Sequence, residues 1–250
     1  MKLHDVKKLS MKRYREEFGH FLVEGEHLVQ ELEKAAAARH SLRGAELYVT
    51  HEYEHWRSPF PMHVIGASQM AQIADTRTPQ GILAVARIPE PLAPRAGERA
   101  VYLHEIQDPG NLGTILRTLA WFGGLRCLLG PGSVDPWSPK VVRASAGAIF
   151  HVPIEHDVPL EALRNRYPRL ACLDMHGAAI QSPGFAGFDG YVFGNEARGI
   201  PEAIRTQLAP AAFTIDGTRA IESLNLATTV TLCVYELHRN RPTDAAGPGA

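Results

Sequence analysis

The sequence predicts an α/β protein built around a parallel sheet. After residue 99, short and almost continuously apolar segments such as AVYLHEI (100–106) and GYVFG (190–194) alternate with amphipathic segments. Strands of a parallel sheet are buried on both faces and are connected by helices, which produces this pattern. A proline-rich stretch, IPEPLAPRAGER (88–99), separates this half from a smaller N-terminal half with helices and strands of its own.

The predicted order of elements follows from these patterns. In the N-terminal half, residues 13–38 have a helix-like pattern, and three strand-like segments follow at 45–50, 61–66 and 81–88. In the second half, predicted strands and helices alternate. The strands are predicted at 100–106, 125–130, 150–154, 169–174, 190–194 and 212–216. Helices are predicted from Asn111, from Ser138, near Leu160, from Pro201 and, as the last element, from Glu222. We therefore predict a domain at 1–88, a linker at 89–99, a second domain at 100–239 and a disordered tail at 240–250.

Composition excludes several classes of protein. The 250 residues are 45% hydrophobic and 21% charged, which is ordinary for a globular chain. No apolar run reaches the ~18 residues of a membrane span, and the first residues lack the apolar centre of a secretory signal. Three cysteines, Cys127, Cys172 and Cys233, are too few and too far apart for a disulfide framework or a cysteine zinc site. A cytoplasmic location is expected.

Charge is concentrated at the N-terminus although the net charge is only −1. Within residues 1–15, Asp5 is the only acid, and six basic residues surround it: Lys2, Lys7, Lys8, Lys12, Arg13 and Arg15. This cluster fits either a solvated helix face or a phosphate-binding patch.

Two short motifs match known functional patterns but lack the neighbouring residues that those patterns require. HEYEH (51–55) has the histidine spacing of zinc proteases, but Pro59 and Pro61 leave room for at most about two helical turns. GNEARG (194–199) has the glycine spacing of a P-loop, but Ile200 and Pro201 replace its lysine and hydroxyl residue. We therefore predict no metal and no nucleotide triphosphatase.

Three polar, glycine-containing junctions follow predicted strands of the second half: DPGNLGTILR (108–117), FGNEARGIP (193–201) and TIDGTRAIESLN (214–225). Ligands of parallel sheets gather where strands end and loops lead into helices. In the first junction, Gly110 and Gly113 permit close backbone approach, and Asn111 fits either a helix cap or a site residue. Arg117 lies about one and a half turns further along the helix.

Together, these junctions closely resemble the SpoU/TrmH family of the SPOUT RNA methyltransferases. The first family motif is matched by Asn111, Gly113 and Arg117. The second and third are matched by Gly194, Glu196 and Gly199, and by Ile215 with Ser223-Leu224-Asn225. The resemblance covers residues 101–239, and the N-terminal half is similar to the substrate-binding domain, related to ribosomal protein L30e, of many members. Asp216 and Arg219 depart from the usual third motif.

The resemblance implies transfer of a methyl group from S-adenosylmethionine to a ribose 2′-hydroxyl of rRNA or tRNA, in a domain with a deep trefoil knot. It implies a homodimer packed through the knot domain. Cofactor contacts are expected from Gly194, Asn195, Gly199, Ile215 and Leu224. Catalytic roles are expected for Asn111, Arg117, Glu196, Ser223 and Asn225. RNA contacts are expected from Lys7, Lys8, Lys12, Arg13, Lys140 and Arg143.

The role of Arg117 stays open between a proton-accepting base and a cation that stabilises developing alkoxide charge. An arginine pKa above about 12 favours the cation. A competing interpretation is a non-catalytic RNA-binding protein with a degenerate knot domain, and the complete sets of motif residues argue against it.

Overall fold

A computed structural model describes residues 1–218 and 220–239 of the chain. The predicted tail and Arg219 lie outside these residues. The N-terminal unit contains helices α1 (Leu3–Lys8), α2 (Lys12–Phe18), α3 (Glu26–Ala38) and α4 (Ala67–Ile73), and strands β1 (His20–Glu24), β2 (Glu46–Val49), β3 (Met62–Val64) and β4 (Ile82–Arg87). Its four-stranded sheet has the order β1-β4-β2-β3.

The helix-like pattern over residues 13–38 proves to be two helices separated by a strand. Gly19, at a φ of 64°, ends α2 in the left-handed conformation that glycine adopts without strain. Residues Phe21 to Glu24 are buried, and β1 pairs antiparallel with β4. The helical interpretation of residues 20–24 was therefore wrong. A strand that is buried on both faces lacks the alternation of apolar and polar residues that would identify it as a strand.

The second unit is a six-stranded sheet in which every neighbouring pair is parallel, as predicted. Its strands are β5 (Arg99–Leu103), β6 (Leu125–Leu129), β7 (Ile154–Glu155), β8 (Leu170–Ala179), β9 (Gly190–Phe193) and β10 (Ala211–Thr214), and its helices are α5 (Pro109–Phe122), α6 (Pro139–Ala144), α7 (Leu160–Arg166), α8 (Glu202–Leu208) and α9 (Leu226–Arg239). The order β10-β8-β9-β5-β6-β7 places β5 next to β9, so the first two junctions leave adjacent strands. The threading of the knot stays a prediction.

The two units are joined by a continuous buried core. The ring of Phe21 in β1 lies 5.0 Å from that of Trp137, which precedes α6, and 6.5 Å from that of Phe150. Nearby, the buried Arg15 of α2 donates through Nε to Asp135 at 2.8 Å. These contacts fix the N-terminal unit beside the carboxyl ends of the strands, where ligands of parallel sheets bind.

Segment 88–98 connects β4 to β5 and contains no helix or strand. The domain limits inferred from the sequence stay a prediction. Among the described residues, no helix has the length and apolar character needed to cross a bilayer.

Candidate active site

The first junction begins α5 with a cap made by Asp108. Its Oδ1 accepts from the backbone amide of Asn111 at 2.7 Å, and Pro109 occupies the first helical position. The helix therefore starts earlier than predicted, and the capping role falls to Asp108. Because the cap is made by another residue, the side chain of Asn111 is free to turn toward the other two junctions.

Gly113 serves packing between helices. A Cβ atom at this position would lie 2.3 Å from Cβ of Ala144 in α6. Any larger residue would force α5 away from α6, so the glycine sets the position of the helix that bears Asn111 and Arg117.

Gly194 and Gly199 form a tight turn after β9. A Cβ atom on Gly194 would lie 2.2 Å from the carbonyl carbon of Gly199. The amide of Asn195 donates to the Gly199 carbonyl at 3.0 Å, and the reverse bond is 2.9 Å. Gly199 has a φ of 63°, so both glycines are required by the backbone.

A hydrogen-bond network centred on Glu196 joins the three junctions. Its carboxylate accepts from the backbone amides of Gln107 and Asp108, each at 3.3 Å. It also accepts from Asn111 Nδ2 at 3.3 Å. Asn111 Oδ1 in turn accepts from Asn225 Nδ2 at 2.9 Å, immediately before α9. Three of the predicted catalytic residues therefore form one continuous network.

Glu105 is a feature of the site that the sequence did not reveal. It has a φ of 49°, a left-handed conformation that is strained for a residue with a side chain. Its carbonyl accepts from Asn195 Nδ2 at 2.8 Å, and its carboxylate pairs with Arg198 Nη2 at 2.6 Å. The strained residue thus attaches the end of β5 to the turn that follows β9.

A cleft of about 340 Å³ lies at the carboxyl ends of β8, β9 and β10. Its walls combine apolar side chains with backbone, as an adenosine-containing ligand requires. The walls include all five predicted cofactor residues together with two predicted catalytic ones: Gly194, Asn195, Gly199, Ile215, Leu224, Glu196 and Ser223. Within residues 1–218 and 220–239, the backbone N–H groups of Ile215 and Leu224 donate no hydrogen bond, so they remain available to a ligand. S-adenosylmethionine fits this set of donors.

Three further cleft residues were missed by sequence reasoning: Asp174 and Met175 on β8 and Arg205 on α8. Asp174 is buried and pairs with Arg205. The first two follow the apolar run of a predicted strand, which is the signal that could have identified them.

Arg117 lies on the exposed face of α5, outside the walls of the cleft. In the part of the chain that the structure describes, its guanidinium makes no hydrogen bond or ion pair, which leaves it available to a substrate phosphate. The structure does not place Arg117 in the network around Glu196.

The predicted RNA-contacting residues differ in their surroundings. Lys7 and Arg13 are exposed on α1 and α2, and Lys140 is exposed on α6. Lys8 pairs with Asp5 at 3.0 Å, and Lys12 with Glu16 at 3.6 Å.

Arg143 is engaged within the protein. Its guanidinium lies 2.7 Å from Asp75 and 3.7 Å from Glu24, so it connects the two units. An RNA contact from Arg143 would have to compete with these carboxylates, and it stays a prediction.

The HEYEH segment forms a 3-10 helix over His51–Tyr53. His51 and His55 are exposed and both approach Glu54, at 3.3 and 3.6 Å. In the described ranges, no group of three or more His, Cys, Asp or Glu side chains is placed to hold a metal ion.

Comparisons with known proteins agree with the fold and the motifs. Residues 98–235 match the model of the SpoU rRNA Methylase family, and residues 1–84 match that of the MRM3-like substrate binding domain. The chain is 29% identical to the 23S rRNA (guanosine(2553)-2'-O)-methyltransferase RlmP of Bacillus subtilis over 94% of this chain and 95% of the relative. It is 34% identical to the mitochondrial rRNA methyltransferase 3 of Mus musculus, spanning 62% of this chain but only 39% of that protein.

Solved structures share the whole architecture. A putative RNA methyltransferase of the TrmH family from Porphyromonas gingivalis has a TM-score of 0.80 and 28% identity over 96% of this chain and 97% of that one. The SpoU methyltransferase AviRb from Streptomyces viridochromogenes, in complex with AdoMet, has a TM-score of 0.78 over 95% and 96% of the two chains; at 23% identity it supports the fold alone.

The fold, the cleft and the three junctions define an S-adenosylmethionine-dependent RNA methyltransferase of the SPOUT class. More particularly, the chain belongs to the SpoU rRNA methylase family. The predicted family, fold class, enzyme class and cofactor are therefore confirmed.

Proposed function

We propose that this enzyme methylates the ribose 2′-hydroxyl of a nucleotide in ribosomal RNA. The observation that carries the proposal is the Glu196–Asn111–Asn225 network beside the adenosine-sized cleft. Support for the substrate class comes from the full-length similarity to a protein named as a 23S rRNA 2′-O-methyltransferase.

The chemistry requires positioning and charge stabilisation. S-adenosylmethionine supplies, when bound, an electrophilic methyl group on a sulfonium leaving group. The Glu196 network holds the loops that present the ribose, so that its hydroxyl approaches in line. Arg117 holds the neighbouring phosphate and stabilises the alkoxide charge that develops as the hydroxyl loses its proton.

The product distinguishes this reaction from base methylation. Ribosomal RNA and tRNA lacking their natural methylation are incubated in separate reactions with the enzyme and methyl-labelled cofactor, and each RNA is digested to nucleosides. We expect the label to stay with the sugar after glycosidic cleavage. Label found on the free base would overturn the ribose assignment, and label incorporated only into tRNA would overturn the rRNA assignment.

RNA capture is assigned to α1 and α2. Lys7, Lys8, Lys12 and Arg13 present positive charge there, and residues 1–84 match a substrate-binding domain model. Reversing the charges of Lys7, Lys8 and Lys12 in the full-length chain is expected to weaken binding to all RNA sequences and to flatten its salt dependence. The control is Lys34→Glu, at an exposed position of α3 where the lysine also pairs with an acid, and the effects are compared per reversed charge. Equal effects of the two changes would contradict the assignment.

The partner proposed for the knot domain is a second copy of the chain. Helices α5 and α9 lie side by side and together expose Trp121 at 85%, Tyr235 at 53% and Leu232 at 37%. Large apolar side chains concentrated on one face are typical of an interface. Sedimentation should show a dimer that Trp121→Glu converts to monomers, whereas a monomeric wild type would refute the proposal.

The cellular compartment is proposed from the cysteines. Cys127, Cys172 and Cys233 are all free and buried. We propose a reducing, cytoplasmic location, which imaging of the tagged protein in its own cells would test.

A further inference from the structure

Asp174 is a buried carboxylate inside the cofactor cleft that the proposed chemistry does not use. Its side chain is only 8% exposed, two residues beyond the last pairing of β8 with β9. One oxygen, Oδ1, accepts from the amide of His176 at 3.1 Å, and Oδ2 pairs with Arg205. A carboxylate has about four lone-pair positions, so at least two acceptor positions remain.

The order of the strands places Asp174 beside the cofactor rather than beside the RNA. The pairing of β8 with β9 ends at Cys172 and Val192, two residues before Asp174, and β8 then runs irregularly until Ala178 pairs with Phe213 of β10. Neighbouring strands lie about 4.8 Å apart, so β8, which carries Asp174, is one strand from β9 and two strands from β5, where the network around Asn111 begins. The methyl group of S-adenosylmethionine must face that network, where the RNA ribose is presented. Asp174, on a strand further away, therefore faces the nucleoside part of the cofactor.

The charge around Asp174 indicates a neutral hydrogen-bond donor as its ligand. Arg205 also lines the cleft and already balances the negative charge. Its position is fixed because its Nε donates to the Ile200 carbonyl at 3.2 Å. A balanced pair offers little net attraction to the charged amino-acid end of the cofactor, whereas hydroxyl groups need only the free lone pairs. An acid at the carboxyl end of a parallel strand commonly accepts from ribose hydroxyls in this way.

We propose that Asp174 binds the 2′- and 3′-hydroxyls of the cofactor ribose and that Arg205 holds it in place. Asp174 is thus a specificity determinant for an adenosine ligand with an intact diol. This inference rests on the proposed function, since it needs an adenosine cofactor in the cleft.

Calorimetry with full-length protein tests the assignment without using turnover. The probes are S-adenosylhomocysteine, 5′-methylthioadenosine, which lacks the amino-acid end, and 2′,3′-dideoxy-5′-methylthioadenosine. Wild type should bind the dideoxy compound at least about tenfold more weakly than its parent, as expected when hydrogen bonds to a charged group are lost. Asp174→Asn should weaken the binding of S-adenosylhomocysteine and of 5′-methylthioadenosine by a similar factor. It should also reduce the preference for 5′-methylthioadenosine over its dideoxy analogue to less than about twofold.

The matched control is Glu161→Gln, an exposed acid on α7 that lies outside the cleft walls and makes no pair with Arg205. It should bind all three probes as wild type does. Equal binding of the parent and dideoxy compounds by wild type would overturn the proposal even if Asp174→Asn failed to fold. Unchanged discrimination in a folded Asp174→Asn variant would also overturn it. Failure of wild type to bind any adenosine probe would instead refute the proposed function.

Discussion

The Asn111 side chain spans two loops, donating to Glu196 Oε1 at 3.3 Å while its own oxygen accepts from Asn225. Glu196 acts only as an acceptor in this arrangement, because the Gln107 and Asp108 amides also point at its carboxylate. The orientation of the Asn111 amide is therefore fixed, and the turn after β9 is held to the start of α5.

Glu196→Gln tests this network. The new amide group would direct two N–H donors toward neighbours that are themselves donors. Hydrogen bonds to a charged group are worth about 1.5–3 kcal/mol, so we expect methyl transfer to fall by about tenfold to a hundredfold. Single-turnover assays measure the rate, with Glu202→Gln as the exposed control. Wild-type rates in Glu196→Gln would show that the network has no role in the reaction.

Arg117→Ala separates catalysis from cofactor binding. Since Arg117 lies outside the cleft, the affinity for S-adenosylhomocysteine should be nearly unchanged. Methyl transfer should fall by about a hundredfold or more if the guanidinium stabilises the transition state. Arg117→Lys should not restore the rate, because an ammonium group cannot replace the planar guanidinium fork. A near-normal rate in either variant would exclude a central role.

Sequence reasoning identified the parallel sheet and the cleft because both depend on local patterns. Apolar runs predicted the strands of the larger sheet, and the resemblance of the loops after these strands to the family motifs implied the cofactor residues. Contacts between distant segments were not predictable. The Asp174–Arg205 pair joins β8 to α8, and Arg143 reaches Asp75 across the two units. Side-chain partners of this kind depend on tertiary packing, which no window of sequence contains.

The buried pair of Arg15 and Asp135 should stabilise the junction between the two units. Arg15 is 3% exposed, and Asp135→Asn would leave its charge without a carboxylate partner. Removing one member of a buried pair typically costs about 3–5 kcal/mol, so the free energy of unfolding should fall by a comparable amount. Glu16→Gln disrupts the exposed pair with Lys12 and should change the free energy of unfolding by less than about 1 kcal/mol. Equal urea midpoints for the two variants would contradict the expected difference.

His104 should make the protein less stable in mildly acidic solution. Burial lowers the pKa of His104 below its ordinary value of 6.5, although Glu105 partly opposes this shift. The unfolded chain therefore binds a proton more readily at this residue, and the free energy of unfolding should decrease as the pH falls from about 7 to about 5.

Carboxylates with lowered pKa values affect the stability of the protein in a separate, more acidic pH range. For Glu155, whose pKa is lowered mainly by its hydrogen bond from Arg166, the stabilisation is lost only as the pH falls below the ordinary value of 4.5.

His104→Gln cannot be protonated, so it isolates the histidine contribution. Urea unfolding of both proteins at several pH values should show a flatter dependence for the variant between pH 5 and 7. Parallel curves over that range would show that the burial of His104 does not affect stability through protonation.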